Sequence, residues 1–208
     1  MVFSLSLACE RAATTTPEPA TTATASGAAA SSSLDPELVA IARTQGVAQK
    51  AKLRVDGSGN LQKQSLYHSD AAAVPEAARA LVDKRWPGAK VRGYESERYA
   101  EHGRVDEIEV TTAEGAECEL AVKQDGSTLY EECRIALDAM PPAVASKVAA
   151  LFPDGSIHEA ETKKGEGVDE LTIEVTAGGK EYYLRMRPDG EVLAKLLRIP
   201  AVLEVPID

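Results

Sequence analysis

The sequence predicts an α+β fold, a tandem repeat of one helix packed on a four-stranded antiparallel sheet, with a partial N-terminal helix-hairpin copy in front. Three observations predict it. Val74-Pro75 and Trp86-Pro87 return in the same order as Met140-Pro141 and Phe152-Pro153. Leu120 to Gly126 returns as Leu184 to Gly190, each stretch closing on Asp-Gly. After each proline-bounded segment the apolar period changes from that of a helix to that of a strand. The 208 residues therefore divide into a signal remnant and tether over 1–33, a partial helix-hairpin unit over 34–69, and two repeats over 70–137 and 138–208.

Met1 to Ala8 is apolar apart from two serines and leads directly into Cys9. Leu5-Ser6-Leu7-Ala8-Cys9 resembles the end of a bacterial lipoprotein signal, which makes Cys9 the lipidation candidate. The Thr-, Ala-, Ser- and Pro-rich run to Ser33 cannot bury apolar surface and reads as a flexible tether. This layout predicts export, to the periplasm or outer cell envelope. Leu34 to Gln45 has a helical pattern, with Asp35 as its cap before Pro36. Leu53 to Gly59 keeps the Leu-to-Gly spacing of the later hairpins and predicts a hairpin here too.

Val74, Ala77, Ala78, Leu81, Val82 and Trp86 line one face of the helix that opens the first repeat. Pro75 and Pro141 suit a first helical turn, where a missing N–H costs nothing. Pro87-Gly88 and Pro153-Asp154-Gly155 end the helices. Trp86 and Phe152 then pin helix to sheet. Next come alternating strands: Ile108 and Val110 inward with Glu107 and Glu109 outward, and Leu120 and Val122 inward with Glu119 outward. The second repeat sets Leu171, Ile173 and Val175 inward, then Tyr182, Leu184 and Met186, with Tyr183, Arg185 and Arg187 outward. Such alternation predicts one packed and one solvated face. Asp125-Gly126 and Asp189-Gly190 supply the hairpin turns.

These residues resemble the PepSY-like family, which is related in fold to β-lactamase inhibitor protein. The likeness rests on Val74-Pro75, Trp86-Pro87-Gly88-Ala89, Gln124-Asp125-Gly126, Met140-Pro141, Phe152-Pro153, Glu181-Tyr182-Tyr183 and Pro188-Asp189-Gly190, and spans roughly residues 70 to 199. It departs at Cys118, where an aromatic is the pattern, and at Asp154-Gly155, where Gly-Ala is the pattern. The resemblance implies an exported bacterial binding module without catalysis. It names no target, because targets do not transfer with a fold.

The charge balance excludes several classes of function. The chain carries 23 basic and 33 acidic residues, a net charge of −10, which repels phosphate backbones and anionic headgroups. Nucleic acid is therefore excluded as a partner, and a membrane is reached only through an anchor at Cys9. No apolar run approaches the roughly 18 residues of a spanning helix. The chain has no phosphate loop, HExxH, CxxC or GxSxG motif, and His68, His102 and His158 are scattered. No catalytic residues, no cofactor and no metal are expected.

Binding residues are sought on the outward sheet face instead. Tyr183, Arg185 and Arg187 combine an aromatic with two guanidinium groups, the side chains that most often anchor protein contacts. They form the basic part of a patch for a protein partner, and the loop around Tyr99, His102 and Gly103 is a second contact candidate. Glu107, Glu109 and Glu119 form an acidic cluster that attracts a basic partner or, as the alternative function, senses a cation or small ligand. Cys118 and Cys133 flank the Asp125-Gly126 turn. A two-residue loop sets them opposite each other, where an exported protein would bridge them. A three-residue loop with a glycine bulge points them to opposite faces.

Overall fold

The computed structural model describes residues 50–68 and 70–202, together with Leu34, Pro36, Val39, Ala40 and Glu204. Cys9, the tether and Asp35 lie outside the described residues. Of the helix expected over Leu34 to Gln45, Leu34, Pro36, Val39 and Ala40 are described; the last three are helical and Leu34 is not.

Ten strands and two α-helices follow. They are β1 (Ala51–Val55), β2 (Leu61–His68), α1 (Glu76–Arg85), β3 (Lys90–Tyr99), β4 (Gly103–Thr111), β5 (Glu117–Lys123) and β6 (Thr128–Arg134), then α2 (Pro142–Leu151), β7 (Ser156–Gly165), β8 (Val168–Ala177), β9 (Lys180–Met186) and β10 (Val192–Arg198). Every strand pairs antiparallel with the next in the chain, giving one sheet in the order β1 to β10. The expected fold class is thereby corrected. Over residues 50–202 the described chain is mainly β, a single ten-stranded sheet carrying two α-helices, in place of a repeated helix on a four-stranded sheet. The physical reason lies at β6 and β7. Tyr130 to Arg134 pair with Gly165 to Glu161, so backbone groups that would have been left open at two sheet edges satisfy each other.

Both helices lie on the same face of this sheet. Pro75 and Pro141 stand at the N-cap positions. In α1, Glu76 in the first turn and Lys84 and Arg85 in the last complement the helix dipole. Ala78 and Val82 of α1 pack over Tyr94, Ile108, Val110 and Leu120. Val144 and Val148 of α2 pack over Ala160, Leu171, Ile173 and Leu184. Burying each such aliphatic side chain stabilises the fold by about 1.5–3 kcal/mol. Phe152 at the end of α2 meets the Tyr182 ring at 4.7 Å between centroids, and Trp86 packs at the border of the α1 cluster. Among the described residues, no helix is long and apolar enough to cross a membrane.

The opposite face is polar, and it is not solvated as alternation predicts. Register shifts at Arg54/Val55, Val91/Gly93, Ala121/Val122, Ile157/Glu159 and Val192/Ala194 bend the strands. The sheet curls until Arg54 of β1 and Arg198 of β10 each stand 5.4 Å from the ring of Tyr183 in β9. The polar face thus becomes a concave interior.

Cys118 and Cys133 are joined by a disulfide on the apolar face, with Cα atoms 4.1 Å apart. The turn between their strands is the three-residue kind. Lys123 N–H donates to Ser127 O, Gly126 N–H donates to Lys123 O, and Gly126 takes φ +80, a conformation that glycine supplies freely. The further irregularity between Ala121 and Val122 restores the register, so Cys118 still opposes Cys133.

Candidate functional site

The concave face is built from every second residue of the strands, read across the sheet in register. One row runs Glu95, Glu107, Ala121, Tyr130. Beside it runs a second, Glu109, Glu119, Glu132, Lys163, Glu170. Alternation delivers these side chains to one face, and the curl then removes them from water. Glu95, Glu97, Glu107 and Glu132 are 1%, 2%, 5% and 4% exposed, so each carboxylate needs a partner or a proton.

Two partly buried lysines provide much of that compensation. Lys63 of β2 forms an ion pair with Glu97, and Lys163 of β7 donates to Glu132 at 2.7 Å. Thr172 donates its hydroxyl hydrogen to the other oxygen of Glu132. Tyr130 lies at the centre. Its hydroxyl donates to Glu107 and shares a 3.0 Å hydrogen bond with the Tyr99 hydroxyl. Lys163 Nζ sits 3.3 Å from the centre of the Tyr130 ring, a cation–π contact strengthened by desolvation. Toward β10, Arg185 grips Glu170 through two hydrogen bonds of 2.7 and 2.8 Å, and Arg198 binds Glu174 in the same forked manner.

The electrostatics follow from burial and proximity. Burial, then the charge of Glu107, pushes the Glu95 carboxyl up to about 7. Glu97 is raised by the same two causes. Burial also acts on Glu107, but Lys63, Lys163 and the Tyr130 hydroxyl outweigh it, and that carboxyl ends below its ordinary value. Burial, then Glu107 and Glu161, raises Glu119 well above the usual carboxylate range. Glu161 is pushed up to about 8 by burial and by Glu132 and Glu159. The Lys63 ammonium, although desolvated, is held protonated by Glu107 and Glu97. The hydroxyls of Tyr67, Tyr99, Tyr130 and Tyr183 are all raised, with burial as the first cause, so they remain protonated donors at neutral pH.

The residues singled out from sequence take different places. Tyr183 is held between the Arg54 and Arg198 guanidiniums. Arg185 lies on the same face, but Glu170 occupies its fork. Arg187 is exposed and stands 3.3 Å from Glu191. Tyr99 points into the concave network and also meets the His102 ring edge-on at 5.7 Å. Exposed His102 marks the β3–β4 tip, with Nε2 3.9 Å from Glu101. Glu109 and Glu119 face each other across β4 and β5, and Glu109 packs over Gly93, where a Cβ would meet its carboxylate oxygen at 2.8 Å. Glu107 belongs to the adjacent row.

Sequence reasoning missed Lys63, Glu95, Glu97, Tyr130, Glu132 and Lys163. Their signal is a second period of two, carried by bulky polar side chains instead of apolar ones. It is plainest in Glu95, Glu97 and Tyr99, which alternate with Ser96 and Arg98 along β3. Lys63, Ser65 and Tyr67 repeat it on β2, each opposite a member of the first set. Of the histidines, His102 touches this network through Tyr99. His68 stacks on Tyr94 at 4.7 Å and bonds Ser96 at 2.9 Å, while His158 bonds Thr176 at 2.7 Å.

No family model matches the chain, and no curated protein matches its sequence. Among solved structures, it is similar to a BLIP-like protein from Bacteroides fragilis, at 17% identity and TM-score 0.47 over 64% of this chain and 92% of that one. A DUF2874 family protein from Bacteroides uniformis is 17% identical, with TM-score 0.49 over 59% and 88% of the two chains. A provisionally periplasmic protein from Bacteroides eggerthii is 18% identical, with TM-score 0.47 over 60% and 88%. The likeness reaches BLIP-like proteins; the PepSY part of the expected resemblance is not shown by it.

Proposed function

We propose that the chain is a non-catalytic binding module of the cell envelope, recognising a protein partner at the mouth of the curled sheet. The carrying observation is the convergence of the two boundary strands on Tyr183. Arg54 arrives from β1 and Arg198 from β10, each 5.4 Å from that ring. Tyrosine and arginine supply large contact area and forked hydrogen bonding, which is why they dominate protein recognition sites. The same two strands expose apolar side chains: Leu53 and Val55 on β1, and Leu193, Leu197 and Ile199 at β10 and just beyond. Apolar residues along boundary strands favour a protein ligand over a small polar one. The Cys118–Cys133 disulfide supports an oxidising compartment, and therefore export.

The test is affinity capture from the native envelope with the unaltered chain and with an Arg54→Ala/Tyr183→Ala variant whose circular dichroism spectrum is unchanged. A protein retained by the first and lost by the second supports this reading. Equal retention of the same protein by both overturns it.

A further inference from the structure

We propose that Glu95, Glu97 and Glu107 form a calcium-binding site enclosed in the concave face. Each of the three offers a carboxylate oxygen, and these oxygens lie within 4.8 Å of one another. The Glu95 and Glu97 side chains are more than nine-tenths buried, and the Oε2 atom of each finds no hydrogen-bond donor among the described residues. Buried carboxylate oxygens without donors are rare, because each forfeits its hydration with no return. A bound cation accounts for both at once.

The neighbouring lysines do not occupy these atoms. Lys63 Nζ pairs with Oε1 of Glu97, and Ser65 Oγ donates to the same oxygen at 2.7 Å. Lys52 Nζ stands 3.6 Å from Oε1 of Glu95. Both Oε2 atoms are left over, and Glu107 adds a third carboxylate to the same cluster. This donor set is entirely oxygen and carries charge, which selects a hard cation. Calcium, with bonds of about 2.3–2.6 Å and tolerant geometry, spans oxygens this far apart without drawing the strands together. Burial excludes a lysine or arginine side chain from outside, which would need an open channel. A bare ion needs far less room. Of the acidic trio weighed from sequence, only Glu107 belongs to this site. The inference stands apart from partner docking, which is tested through other residues.

The purified chain is stripped with chelator, returned to chelator-free buffer and titrated with calcium chloride to about 5 mM while its melting temperature is followed, with magnesium and manganese for comparison. The expected result is a saturable rise of several degrees with calcium. A Glu95→Gln/Glu97→Gln variant is expected to lose that response. Terbium serves as a direct probe, since Tyr67 interacts with Glu95, Tyr99 with Glu97 and Tyr130 with Glu107. Sensitised luminescence that calcium competes away is expected in the unaltered chain. No melting shift and no competed luminescence overturn the proposal. So does a calcium response that persists in the variant, because the ion then binds elsewhere. Should the double variant fail to fold, Glu95→Gln alone with the terbium readout decides the matter by the same two outcomes.

Discussion

Burial, followed by the charges of Glu132 and Glu159, pushes the Glu161 carboxyl up to about 8. Near neutrality it therefore carries a proton that an unfolded chain releases near its ordinary value of 4.5. In this interval the native state binds more protons than the unfolded state, so stability falls as pH rises. The contribution is fully present below the unfolded value and is lost as pH climbs through about 8. A neutral amide at this position reproduces the protonated form, its NH2 donating to the Thr172 hydroxyl oxygen, which lies 3.2 Å from Oε2, and toward Glu132. Glu161→Gln is thus expected to flatten the decline in melting temperature between about pH 5 and pH 8 and to raise it at the alkaline end. Melting curves across that range check this, and a variant that declines as steeply as the unaltered chain contradicts it.

At the scale of the elements, the joint between β6 and β7 brings backbone closer to a glycine than at any other described glycine. Gly165 of β7 opposes Tyr130 of β6, and a Cβ there would lie 2.3 Å from the Leu129 carbonyl oxygen and 3.2 Å from Tyr130 Cα. Backbone atoms cannot rotate away as a side chain can. Gly165→Ala is therefore expected to lower stability by about 1–3 kcal/mol, the range of overpacking. Gly57→Ala, with nothing within 4 Å, should stay within about 0.5 kcal/mol of the unaltered chain. Denaturant midpoints of the two variants make the comparison. This joint also marks where sequence patterning stops being informative. Val82, Ile108, Leu120, Ile173 and Leu184 announced their face through periodicity, and all are buried there. Periodicity is local, however, and cannot say that Glu132 will meet Lys163 of another element, or that a polar face will curl shut over Glu95 and Glu97. The curl depends on bulges such as Ala121/Val122, which carry no fixed residue signature. Thus the direction of Glu107 was legible in the sequence, while its burial was not.

For the whole molecule, the continuous sheet decides how the two helix-covered cores unfold. The cores under α1 and α2 hold separate sets of residues, and independent units would melt separately. They share the β6–β7 seam, though, and many interactions cross it. Lys163 reaches Glu132 at 2.7 Å, Arg134 stands 3.6 Å from Glu159, and Ile135 N–H donates to Ala160 O at 2.9 Å. Thr172 reaches over to Glu132, and the Lys163 ammonium caps the Tyr130 ring. Melting one half first would expose the buried Glu132 and Tyr130 and leave a long unpaired edge on the other half, so the partly folded state is disfavoured. Calorimetry is expected to show one transition, with calorimetric and van't Hoff enthalpies in agreement. Val82→Ala in one core and Val148→Ala in the other should each move that single transition down, by about 2–4 °C for every kcal/mol lost to the cavity. Two resolved transitions, with each substitution shifting only its own, would instead mean that the seam transmits too little energy to join the halves.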